Sequence, residues 1–129
     1  MSEFKRTCPI IKSEEVADER FVLGIVLEPE SVDAQFDIYS SDEVRSAAHK
    51  FMTEYRNVHF MHKYEINGDV EILESYLAPA DMMVENNLIK KGTWLMAVKV
   101  NSEEQWKMVK SGELTGFSIG GHALRIQES

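Results

Sequence analysis

The chain has 129 residues, 43% hydrophobic and 28% charged, with a formal net charge of −8. That length suits one domain with a real core, and the acidic balance argues against broad contact with nucleic acid, which needs surplus Lys and Arg. No apolar run approaches the length that crosses a bilayer, and Cys8, the single cysteine, rules out an internal disulfide or a cysteine metal cage.

Residues 1–18 are polar, mixed in charge and poorly periodic, so they read as a flexible N-terminal arm. This start lacks a basic cluster followed by an apolar stretch, which argues against secretion and fits an intracellular, reducing compartment. Residues 19–129 read as a single domain.

"RFVLGIVLEPE", Arg20 to Glu30, is a β-rich apolar run closed by Pro29 and predicts a buried strand. "SVDAQFDIYSSDEV" is a loop, and Ser40 or Ser41 then caps a helix reaching about Tyr55. Val44, Ala47, Ala48, Phe51 and Met52 fall at helical spacing as its buried stripe. In "NVHFMHKYEINGDVEILESYLAP", Asn67-Gly68 suits a two-residue hairpin turn, which sets His62 opposite Leu73 and Phe60 opposite Ser75. The methionines at Met82 and Met83 are assigned to gap-filling packing.

"KKGTWLMAVKV" is a strand entered through Gly92. "NSEEQWKMVKSG" is a short helix with Asn101 or Ser102 as cap, Glu103 and Glu104 at its positive end and Gly112 as its stop. "LTGFSIGGHALRIQ" is a final strand loosened by glycines. The order β-α-β-β-β-α-β describes an α+β chain: mostly antiparallel sheet or barrel with a few flanking helices.

Gly116-Phe117-Ser118-Ile119-Gly120 matches G-x-S-x-G, but the hydrolase elbow of that spacing fails here. It needs an acid and then a histidine after the serine, and no Asp follows Ser118. Serine chemistry itself needs only a base within hydrogen-bond reach and donors for the oxyanion. Gly120 and Gly121 could supply backbone N–H groups. Of the four histidines, His49 lies in the first helix and reads as structural, while His122 is roughly 13 Å from Ser118 along an extended strand. His59 and His62 face opposite sides of one strand, and spacing alone makes them equal as base. It also leaves Ser75, beside His62, as a rival nucleophile. No metal set is predicted, because histidines three apart on a strand cannot ligate one ion from one face. Glu74 and Glu113 lack the acidic neighbour that a paired-carboxylate site requires.

"RFVLGIVLEPESVDAQFDIYSSDEVRSAAHKFM", "FMHKYEI", "ESYLAPADM", "KKGTWLMAVKV" and "WKMVKSGELTGFSIGG" occur in that order. Across about Arg20 to Arg125 they resemble the XkdF-type phage serine protease family, which is similar to the prohead (capsid maturation) proteases of tailed phages with an assemblin-like fold. The resemblance implies a serine peptidase with Ser118 as nucleophile, His62 as general base and the backbone of Gly120 and Gly121 at the oxyanion. It leaves the third triad member unassigned among His122, Glu128 and Asp81. It further implies no cofactor or metal, phage capsid and scaffold proteins as substrates, and action in the host cytoplasm inside the assembling prohead. No nucleic-acid or membrane partner is expected, and self-association is the remaining partner expectation. The alternative is an inactive protease-fold protein that binds capsid or portal components during assembly.

Overall fold

The apolar run after Glu19 forms a strand because Val22, Leu23, Val26 and Leu27 find apolar partners on both sides of one sheet. The computed structural model describes residues 4–16, 19–32, 37–55, 57–59 and 70–121. Among them, strands β1 (Phe4–Val16), β2 (Glu19–Leu27), β3 (Asn57–His59), β4 (Val70–Leu77), β7 (Trp94–Val100) and β8 (Gly116–Gly121) make a six-stranded antiparallel sheet. Its order is β3-β8-β1-β2-β7-β4, and β3 and β4, at the two ends of that order, bring Cα atoms within 8 Å of each other. The sheet is therefore strongly curled, as right-handed strand twist promotes. Strands β5 (Met82–Val84) and β6 (Asn87–Ile89) form a separate hairpin.

Among the described residues, two helices lie against one face. Ser40 caps α1 (Ser41–Lys50) in a reciprocal box: its hydroxyl accepts from Glu43 N at 3.2 Å, while its own N–H donates to Glu43 Oε1 at 2.8 Å. The helix continues into a π-helical turn over Phe51–Tyr55, which extends the predicted stripe so that Phe51 is buried beside Val44 and Ala48. Ser40→Ala removes one partner of this box and is expected to lower the unfolding free energy by about 1 kcal/mol, read from the urea midpoint. Ser102 caps α2 (Glu103–Ser111), and Gly112 ends it in the left-handed region at φ 87°.

Period-two alternation splits the sheet residues into two cores. On the helix side Val22, Trp94, Met96 and Val98 pack with α1, with Trp106 and Val109 of α2, and with Phe117 and Ile119 of β8. On the other side Leu23, Leu95 and Ala97 pack against Ala78 and Ile89, so the β5–β6 hairpin covers that face. Met82 supports this second core, whereas Met83 is exposed.

The flexible arm expected over residues 1–18 is corrected. Residues 4–16 are β1, paired with β8 on one side and β2 on the other, so the folded unit begins well before residue 19. The local pattern conceals this strand because Thr7, Pro9 and residues 13–16 face solvent, while Cys8 is fully buried opposite Phe117. Pairing with two partners, rather than its own propensity, makes it a strand. The Asn67-Gly68 turn and the pairs expected across it lie outside the described residues; β4 pairs with β7 and β3 with β8.

Candidate active site

Gly112 turns the chain out of α2, Leu114 anchors it in the helix-side core, and β8 follows. Phe117 and Ile119 point into that core and are fully buried. Ser118 lies between them and therefore faces the other side of the sheet, the side that carries Leu23 and Ala97. Gly116 and Gly120 share its parity and have no side chains, so Ser118 is the one side chain β8 presents to that face between residues 116 and 120. It is nevertheless only 1% exposed.

Two ladders hold this strand. Ser118 pairs with Thr7 on β1 and with His59 on β3, which places one residue of each neighbour directly across from it. Gly120 pairs with Lys5 and Asn57; Gly121 pairs with Phe4, one residue past the end of the β3 ladder. From beneath, the ring of Phe117 rests on Gly24 of β2. A methyl group at Gly24 would stand 2.6 Å from Phe117 Cε1, 2.9 Å from Cζ and 3.1 Å from the Pro9 carbonyl oxygen. The absence of a side chain at Gly24 thus sets how closely Phe117, and with it the adjacent Ser118, approaches the sheet centre.

The remaining candidates are placed as follows. His62, His122 and Glu128 lie outside the described residues. His49 is exposed on α1, away from any core. The hydroxyl of Ser75 accepts the Trp94 indole N–H at 2.9 Å, on the helix-side face of the sheet, so it serves the core and does not share the face of Ser118. Asp81 accepts the backbone N–H of Lys91 at 2.8 Å, tying the base of the β5–β6 hairpin. Among the described residues no group of His, Cys, Asp and Glu could hold a metal ion. Thr7 escaped the sequence reading because it lies in the segment taken for an arm; the run Cys8-Pro9-Ile10-Ile11 was the signal available.

Chemically, the arrangement offers a serine hydroxyl on a backbone held from both sides, with a histidine-bearing strand as one neighbour. Nucleophilic attack by serine needs a nearby base and a fixed hydroxyl, and the paired ladders provide the fixed backbone.

Residues 7–127 match the family model described as "Putative phage serine protease XkdF". The uncharacterized protein YqbD of Bacillus subtilis (strain 168) is 40% identical over 118 residues, covering 92% of this chain and 36% of YqbD. The phage-like element PBSX protein XkdF of the same strain is 35% identical over 125 residues, covering 97% of this chain and 45% of that protein. The chain thus spans less than half the length of these curated relatives. No solved structure matches it.

Proposed function

The chain belongs to the XkdF family, whose description is "Putative phage serine protease XkdF", and from that premise we propose that it is a serine endopeptidase that trims scaffold and capsid proteins during prohead maturation. The observation that carries this reading is the placement of Ser118: a buried hydroxyl, alone on its strand face between two glycines, with the histidine-bearing strand β3 alongside. The curled antiparallel sheet with helices on one face supports an assemblin-like fold.

In this mechanism Ser118 Oγ attacks the scissile carbonyl carbon while His62 accepts the hydroxyl proton. The C–N bond breaks as His62 passes that proton to the leaving amine. Water then attacks the acyl-enzyme, with the same histidine taking its proton and returning it to Ser118 Oγ. Backbone N–H groups of Gly120 and Gly121 hold the oxyanion, a contribution of about 10²- to 10³-fold in kcat for one such donor. The work takes place in the host cytoplasm, inside the assembling prohead, and needs no cofactor.

The test is coexpression of the chain with the capsid and scaffold proteins of its own phage or prophage. Shortened scaffold or capsid bands with the parent chain, and full-length bands with Ser118→Ala, are the expected pair of results. Equal cleavage in both overturns the assignment. No cleavage, with the chain bound stably to a capsid or portal component, points instead to a non-enzymatic assembly role.

A further inference from the structure

We propose that the outer face of the β5–β6 hairpin is a self-association surface, on which a second copy of this chain docks about a two-fold axis running along the strands. The inference goes beyond the protease reading and uses none of the residues in that mechanism. It starts from alternation. Met82 and Ile89 are paired across the hairpin and turn inward, to the core that holds Leu95 and Ala97. The next pair, Met83 and Leu88, therefore turns outward. At 62% and 63% these two are the most exposed large hydrophobic side chains among the described residues. Paired side chains on one face stand about 4.5–5.5 Å apart at Cβ, so they make one apolar spot. Among the described residues β5 and β6 pair only with each other, and no further strand flanks that spot.

The charges around it select the occupant. The chain carries −8 in all, yet residues 79–92 balance two acids, Asp81 and Glu85, with two bases, Lys90 and Lys91. The hairpin is thus a neutral place on an acidic chain, where two copies meet with the least repulsion. At its base Asp81 and Lys90 are both exposed, one step beyond the Met82–Ile89 pair. Asp81 is held there by the bond it accepts from Lys91 N at 2.8 Å. A two-fold axis along the strands lays β5 of one copy over β6 of the other. Met83 then meets Leu88 of the second copy and Asp81 meets Lys90 of the second copy, each contact occurring twice. Apolar faces apolar and acid faces base, so the surface is complementary to itself. A contact this small belongs with weak, transient interfaces, and association is expected only at high concentration.

Sedimentation equilibrium of the chain in about 0.15 M salt, where long-range repulsion is screened, tests this. Raising the concentration to about 1 mM should carry the average mass of the parent toward twice that of one chain. Leu88→Lys should stay at the single-chain mass with an unchanged urea midpoint, because the side chain it replaces is exposed. Asp81→Lys and Lys90→Asp should each stay single as well, since each sets like charges face to face. Mixed one to one, these two variants should regain the doubled mass, because every lysine then meets an aspartate across the contact. Asp81→Lys also loses the acceptor of Lys91 N–H, so its urea midpoint is read first; if it is unfolded, Leu88→Lys and Lys90→Asp carry the test alone. A parent chain that stays single at about 1 mM overturns the proposal, as does a doubled mass that persists in Leu88→Lys. Folded charge variants that fail to double when mixed, beside a parent that doubles, overturn the two-fold pairing.

Discussion

Ser118→Ala will fold like the parent chain and cut no peptide bond. The substitution removes one hydroxyl from a buried position on a strand face otherwise made of glycine at positions 116 and 120, so the space it opens is small. Alanine keeps the Cβ, and the strand remains paired with β1 and β3. The stability change is that of one buried hydrogen-bonding group, on the order of 1 kcal/mol. The effect on rate is far larger, because every later step depends on the acyl bond to Oγ. Loss of a serine nucleophile costs on the order of 10⁶-fold in kcat where it has been measured, leaving only what binding and the oxyanion donors supply. Cleavage rate on a scaffold-derived peptide, read beside a urea unfolding curve, separates the two effects. A cleavage rate within tenfold of the parent's removes Ser118 from the mechanism.

Gly24→Ala is expected to weaken the fold and the site together. Its methyl group would sit 2.6 Å from Phe117 Cε1, closer than such atoms can pack, and 3.1 Å from the Pro9 carbonyl oxygen, a contact that needs a further few tenths of an ångström of give. Phe117 is fully buried among core side chains, and the carbonyl belongs to the neighbouring strand, so relief must come from moving β8 against β2. Overpacking of this kind costs about 1–3 kcal/mol. Because Phe117 precedes Ser118 in the chain, the displacement also reaches the hydroxyl. The same variant should therefore lose activity at temperatures where it is still folded. Phe117→Leu shortens the ring edge that the methyl group meets. In the double variant Gly24→Ala/Phe117→Leu the two costs should sum to more than the observed loss, the sign of direct coupling. Strict additivity would contradict a clash at that contact.

Some of this architecture was plain in the residues. Both helices announce themselves by short-range chemistry: Ser40 and Glu43 three apart, Ser102 before two glutamates, Gly112 at the stop. The helix from Ser41 runs as expected, with only its last turn relaxing to π geometry. Trp94–Val100 is apolar enough to be a central strand on composition alone. β1 was illegible because most of its described side chains are wet and its strand character comes from two partners distant in sequence. The β5–β6 hairpin was missed because its turn takes Glu85 into the left-handed region at φ 53°, with no glycine to mark it. For the site, Ser118 could be found by motif, but its row could not. Which residue of β3 stands across from it is a matter of register between two segments far apart in the chain, and no local signal encodes that. The spacing that left His59 and His62 equal says nothing about β8 at all.

The most direct test of Ser118 as nucleophile is reaction of the purified chain with a fluorophosphonate, followed by peptide mapping of the adduct. One adduct per chain, on the peptide carrying Ser118 and absent from Ser118→Ala, is the predicted result. No adduct at all, or an adduct on another serine that persists in Ser118→Ala, would contradict it.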